Sequence, residues 1–181
     1  MPAEAAALNL MGWIKDHLHE MKPPVSNKTI WKNQDFIVFV SAGPNTRNDY
    51  HVNPTEEFFY QLKGDIYIKL QEDGKSRNVI VREGEVFLIP KWVPHSPQRP
   101  EGTLGLIVEY VRPEGQKDAL RWYCLQCNHL VHDAPFTLTD IDNNLKEIMT
   151  RFWGDDVSLR TCKKCGFVFE KASEAKLPAM A

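Results

Sequence analysis

The sequence predicts a mainly β fold, a sandwich or barrel of the jelly-roll kind, with a helix before it and a cysteine-bearing segment with one helix after it. Three observations carry this. Short segments rich in valine, isoleucine and aromatics recur between turn residues from 28 to 112. A stretch of helical periodicity precedes them. Two Cys-x-x-Cys pairs follow them, at Cys124/Cys127 and Cys162/Cys165.

Residues 9–21 read as an amphipathic helix. Leu10, Met11, Ile14, Leu18 and Met21 share one face, Asn9 is placed to cap it, and Pro23-Pro24 ends it. The expected strands are 37–40, 58–62, 65–70, 77–81, 86–89 and 104–111. Asp73-Gly74 signals a hairpin between the third and fourth. Beyond the strands, residues 123–132 hold the first cysteine pair. Residues 139–153 read as a second helix, with Ile141, Leu145, Ile148, Met149 and Phe152 on one face. The tail 172–181 reads as loose. This divides the chain into a barrel with its helix, residues 1–118, and a C-terminal segment, 119–181, packed with it as one unit.

The 181 residues suffice for one self-sufficient core. An apolar share of 43% and a charged share of 25% are those of an ordinary globular protein. A formal charge of -2 leaves no basic footprint for nucleic acid. No apolar run approaches the ~20 residues that cross a bilayer, so no membrane span is expected. The N-terminal stretch lacks the basic region of a secretory signal, which makes the cytoplasm the expected compartment. In a reducing compartment, paired cysteines favour metal over disulfides. Four thiolates suit zinc or a single iron and leave no open coordination position.

His51, Glu57 and His95 are the candidate ligands of a second metal. A lone histidine is more often a hydrogen-bonding residue, and a lone glutamate a solvated one. Here the three coincide with two motifs. His51, Glu57 and Gly64 fit the first motif of the cupin superfamily, which has His-x-His, then glutamate and, after six intervening residues, glycine. Gly84, Pro90 and His95 fit the second. The departures are Asn53 in place of the second histidine, Gly43 two residues too far upstream, Trp92 for a glycine and Arg99 for an asparagine. The resemblance implies a cupin-type jelly-roll β-barrel. Asn53 reduces its usual four ligands to two imidazoles and a carboxylate. Such a set leaves positions open on ferrous iron for a chelating substrate and dioxygen. His17 and His19 fall on the polar face of the first helix, and His129 and His132 flank a cysteine pair. None of these four is expected to be a ligand.

Longer strings narrow the resemblance. Gly43-Pro44-Asn45-Thr46-Arg47-Asn48-Asp49-Tyr50-His51-Val52-Asn53-Pro54-Thr55-Glu56-Glu57-Phe58-Phe59-Tyr60-Gln61, Pro90-Lys91-Trp92-Val93-Pro94-His95-Ser96-Pro97 and Arg121-Trp122-Tyr123-Cys124 resemble the 3-hydroxyanthranilate 3,4-dioxygenase family. The likeness runs from Trp13 to Cys165. It implies iron(II)-dependent cleavage of the ring of 3-hydroxyanthranilate by dioxygen, giving 2-amino-3-carboxymuconate semialdehyde. That product closes to quinolinate on the route from tryptophan to NAD. It also implies roles. Arg99 grips the substrate carboxylate, as a guanidinium fork is suited to do. Glu109 contacts the substrate, and Arg47 stands near dioxygen, where a cation stabilises developing negative charge. Without the resemblance both arginines read as surface residues and Glu109 as the solvated face of a strand. Phe58, Phe59, Tyr60 and Trp92 are candidates for the pocket wall, or plain core. Members with a rubredoxin-like four-cysteine site are microbial and usually homodimeric, which the resemblance extends to this chain. Its second metal is iron or zinc, and a structural role for it follows from the closed thiolate set.

Overall fold

The computed structural model describes residues 6–32 and 35–177. Helix α1 (Leu10–His17) starts where Asn9 accepts a hydrogen bond from the Gly12 amide, and a 3-10 turn (Leu18–Glu20) completes the predicted stretch. Eleven strands follow among the described residues: β1 (Asn27–Lys32), β2 (Phe36–Ala42), β3 (Tyr50–Val52), β4 (Glu57–Lys63), β5 (Ile66–Glu72), β6 (Lys75–Val81), β7 (Val86–Ile89), β8 (His95–Gln98), β9 (Leu104–Tyr110), β10 (Asp118–Tyr123) and β11 (Leu130–Phe136). Helix α2 (Asn144–Phe152) and a 3-10 turn (Val157–Arg160) come last.

The strands form two antiparallel sheets, ordered β1-β2-β9-β4-β7 and β11-β10-β3-β8-β5-β6. The predicted cupin-type jelly-roll holds. Asp73 and Gly74 both take positive φ, as a tight hairpin turn between β5 and β6 requires. The six-stranded sheet runs through residue 118, because β10 pairs with β3 on one side and β11 on the other. The change in sequence character beyond residue 118 is therefore not a break in the sheet. Strands β3 and β8 were unreadable from pattern because they are 3 and 4 residues long and buried throughout, with no alternation to detect.

The main core lies between the sheets, where Phe39, Phe59, Ile68, Leu70, Ile107 and Leu120 meet. A smaller cluster seats Ile14 and Met21 of the N-terminal segment against Val40, Ala42 and Leu104. At the other end α2 contributes Leu145, Met149 and Phe152 to the main core. Phe152 stacks on the fully buried Trp122 with ring centroids 4.0 Å apart. The second helix begins five residues later than its periodicity suggests. Asn144 Oδ1 accepts from the Thr139 and Asp140 amides, Asp140 caps the Asp142 amide, and Asp142 reaches Thr29 on β1. These side chains cap the backbone over 139–142, and one turn closed by the Asn144 amide on Asp140 O leads into the helix.

Of the four aromatics considered for the pocket, only Phe59 points inward; Phe58, Tyr60 and Trp92 are exposed. The tail also differs from expectation over its described part. Ala175 is buried and donates its amide to Asn45 O at 3.0 Å, which pins residues 170–177 across the loop before β3. Residues 178–181 lie outside the described part.

Phe152→Ala should cost about 3–5 kcal/mol of folding stability, because it removes a fully buried ring and leaves a cavity against Trp122. Equilibrium urea unfolding of the two proteins measures this directly.

Candidate active site

Strand pairing places the three candidate ligands. His51 on β3 sits opposite His95 on β8 in the six-stranded sheet. Glu57 opens β4 in the facing sheet and is paired in register with Glu109 on β9. All four are at least nine-tenths buried. The ligand atoms of His51, Glu57 and His95 lie within 4.8 Å of one another.

Each imidazole is oriented by its far nitrogen. His95 Nδ1 lies 3.0 Å from Val93 O, and His51 Nε2 lies 2.6 Å from Asp118 Oδ2. A carbonyl and a carboxylate only accept, so those nitrogens carry the protons. The lone pairs of His95 Nε2 and His51 Nδ1 are left facing Glu57 Oε2, at 2.9 Å and 3.8 Å. Glu57 Oε2 itself is buried and has no hydrogen-bond partner. Lone pairs crowded this way repel unless a cation sits among them. Two ligands about 2.1 Å from one ion at right angles are ~3.0 Å apart, close to the separation seen for His95 and Glu57. The donor set therefore fits a divalent metal.

Burial lowers the pKa of His51 and keeps its ring neutral, although Asp118 pulls the other way. Burial would raise the pKa of Glu57, but His95, His51 and Arg112 outweigh it and hold the carboxyl at about 2. Both are then in the form that binds metal. Glu109 goes the other way. Burial first and the charge of Glu57 second push it up to about 8, against Arg112.

One pocket is lined by His51, Glu57, His95, Arg47 and Arg99 together, with apolar walls from Phe59, Ile107 and Leu145. Arg99 is fully buried, and Gln61 Oε1 accepts from its Nη1 at 3.1 Å. Its Nε and Nη2 have no partner. Burial lowers its pKa to about 10, which still leaves it a cation at neutral pH. Gly105 makes room for it: a Cβ there would stand 2.7 Å from both terminal nitrogens. Arg47 lines the same pocket but is not free. Its Nε and Nη2 form a fork with Asp49 at 3.2 and 2.6 Å. Glu109 Oε2 accepts from Asn53 at 2.9 Å, and Oε1 lies 3.2 Å from Arg112 Nη2.

Asn53, Asp118, Arg112, Asp49 and Gln61 were not recognised as part of this site from sequence. Asn53 was read only as a missing ligand. Its i, i+2 spacing from His51 was the available signal, since both then point to one face of the strand. Asp49 and Gln61 lie within the string 43–61 but have no chemical signal of their own, and Asp118 and Arg112 belong to no motif and reach the site through strand pairing and side-chain contacts.

The four cysteines converge as the spacing predicts. Cys124 and Cys165 Sγ are 3.5 Å apart, and Cys127 and Cys162 Sγ 3.7 Å. These are too long for disulfides and near the ~3.8 Å edge of a tetrahedron with 2.3 Å metal–sulfur bonds. The two knuckles match in turn geometry. Asn128 N donates to Cys124 O and Gly166 N to Cys162 O, both at 2.9 Å, and both residues take positive φ. His129 and His132 stay outside the cluster, the latter packed on Trp122.

The profile of the 3-hydroxyanthranilic acid dioxygenase family matches residues 2–153. The chain is 48% identical to a 3-hydroxyanthranilate 3,4-dioxygenase of Shewanella woodyi, over 91% of this chain and 87% of that protein. It is likewise 48% identical to the enzyme of that name from Ruegeria pomeroyi, over 91% of each. Among solved structures, a cupin-2 domain containing protein from Shewanella frigidimarina aligns with a TM-score of 0.44 at 22% identity, over 54% of this chain and 91% of that one. On its sequence, this chain belongs to the 3-hydroxyanthranilic acid dioxygenase family.

Proposed function

We propose that this chain is a cytoplasmic, iron(II)-dependent dioxygenase that opens the ring of 3-hydroxyanthranilate beside its hydroxyl-bearing carbon. The product would be 2-amino-3-carboxymuconate semialdehyde, the precursor of quinolinate and so of NAD. The observation that carries this reading is Arg99, a buried cation with two unpartnered nitrogens in the pocket of the three candidate ligands. A carboxylate is the group that such a fork lacks.

His51, Glu57 and His95 would hold the iron, which supplies the electron chemistry needed for dioxygen to attack the ring. The remaining residues bind and orient. Arg99 clamps the substrate carboxylate and so turns the hydroxyl and amino groups towards the three ligands. Glu109 is fixed by Asn53 and Arg112 beside Glu57. Burial and Glu57 push its pKa up to about 8, and its proposed role is to hydrogen-bond the substrate amino or hydroxyl group and hold its orientation. Arg47 adds positive charge at the pocket wall, tempered by Asp49. Phe59, Ile107 and Leu145 exclude water.

Iron(II) added anaerobically, followed by 3-hydroxyanthranilate and oxygen, should consume one dioxygen per substrate and produce the semialdehyde, followed by its absorbance. Absence of oxygen uptake by fully iron-loaded protein would rule the reading out. Arg99→Met should keep the iron and lose about 2–4 kcal/mol of transition-state binding, roughly 30–1000-fold in kcat/KM.

We assign the four-cysteine site a structural role, holding one iron or zinc. It anchors the chain that continues into the strap over residues 45–48, where Asn48 reaches Glu170 O and Ala175 reaches Asn45 O. Cys124→Ser should lose the second metal and several degrees of Tm while retaining barrel iron and most of kcat. Elemental analysis beside steady-state kinetics checks both.

A homodimer through the outer face of the five-stranded sheet is supported by its exposed apolar residues. Trp31, Phe58, Tyr60, Val86, Leu88 and Tyr110 are all solvent-facing there. Phe58 pairs with Leu88 and Tyr60 with Val86, which makes the patch continuous. Sedimentation should show a dimer that Leu88→Lys shifts towards monomer.

A further inference from the structure

Two charged residues, Asp118 and Arg112, stand behind the site without lining its pocket. Asp118 is fully buried at the start of β10, and Arg112 occupies the loop between β9 and β10. Asp118 Oδ2 meets His51 Nε2 at 2.6 Å. Arg112 grips both oxygens of that carboxylate, Nε to Oδ1 at 2.7 Å and Nη2 to Oδ2 at 2.6 Å. The guanidinium continues past Asp118. Nη1 donates to Tyr110 O at 2.6 Å and approaches Thr55 Oγ1 at 3.4 Å, and Nη2 also reaches Glu109 Oε1 at 3.2 Å. One side chain thus ties the carboxylate behind His51, in the six-stranded sheet, to Glu109 in the five-stranded sheet.

The tautomer of His51 depends on this arrangement. Its Nδ1 can offer a lone pair inward only if its Nε2 holds the proton, and Asp118 is the acceptor that keeps the proton there. A carboxylate bound by a single partner could rotate away. The Arg112 fork removes that freedom, because both oxygens are fixed in one plane. We propose that Asp118 and Arg112 are positioning residues of this enzyme: Asp118 sets His51 in its metal-binding tautomer, and Arg112 locks Asp118 while fixing Glu109 beside Glu57. The inference rests on His51 being a metal ligand. It adds a coupling, since the same guanidinium holds the carboxylate behind His51 and Glu109, the residue paired with Glu57.

The test uses the full chain with its cysteine metal in place as an internal reference. Chelator competition measures iron(II) affinity at the barrel. Long-range proton–nitrogen NMR of the zinc-loaded and barrel-empty protein reads the His51 tautomer. Asp118→Leu should weaken barrel iron about 10–100-fold, leave the cysteine metal bound, and move the His51 proton off Nε2 in the barrel-empty protein. Asp118→Asn, which keeps the volume and one acceptor oxygen, should fold, retain the tautomer and lose less affinity. Arg112→Lys keeps the charge without the fork. It should raise KM for 3-hydroxyanthranilate several-fold as well as weaken iron, whereas a purely structural arginine would leave KM unchanged in iron-saturated enzyme. Iron affinity within twofold of the parent and an unchanged tautomer in both Asp118 variants would overturn the proposal. Full barrel metal in His51→Ala would instead show that His51 is no ligand, and the failure would belong to that earlier reading.

Discussion

Lone pairs of two imidazoles and a carboxylate converge on one small volume inside the barrel, and this is the constraint on which the rest of the structure depends. Among the described residues no hydrogen-bond donor meets Glu57 Oε2, and both histidines have their protons on the far side. Such an arrangement persists only if each group is fixed from behind. Val93 O fixes His95, Asp118 fixes His51, and the start of β4 fixes Glu57. The jelly-roll serves this purpose because its facing sheets deliver the histidines and the glutamate from opposite sides.

Buried charge sets the second level of organisation. Glu57, Glu109 and Asp118 crowd one region, and Arg112 is the cation that touches two of them. Asp118 receives the fork of Arg112 and the proton of His51, which outweigh burial and keep it ionised. Glu109 receives less from Arg112 and stands opposite Glu57, so burial dominates and its pKa rises to about 8. Two neighbouring carboxylates are thereby pushed apart, one a permanent anion at the metal side and one able to gain or lose a proton near neutrality. Arg99 is a deep cation in the same pocket as Arg47, which Asp49 pairs. It is left with open donors because Gln61 answers only one of them, and Gly105 leaves it space.

How much of this could be read from the chain depends on how local each signal is. His51, Glu57 and His95 are legible because short motifs carry them at fixed spacing. The cysteines are legible for the same reason. Helix α1 and the alternating strands announce themselves by period, whereas β3 and β8 are buried on both faces and have none. The first turn predicted for α2 fails because Asn144, Asp140 and Asp142 spend their side chains on local backbone and on Thr29. Asp118 and Arg112 are invisible for a different reason. Their partners lie 67 residues away at His51 and 57 at Thr55. Only the pairing of β10 with β3 brings the chain back.

The docked tail links the cysteine-bearing segment to the barrel through the loop before β3. Asn45 is the junction: its Nδ2 donates to Pro97 O, its Oδ1 accepts from Arg99 N, and its amide donates to Arg99 O. Ala175 N then closes on Asn45 O from the strap. Two residues further along the same loop, Arg47 lines the pocket, and Asn48 links Trp122 to the strap at Glu170. The strap is held at one end by the second cysteine knuckle, where Thr161 pairs with Val168 and Phe169 N reaches Arg160 O. The second knuckle, the strap and the arginine-bearing loop are thus joined by a continuous set of hydrogen bonds. Those bonds end on the backbone that carries Arg99, so the geometry of the knuckle bears on the pocket through the chain itself.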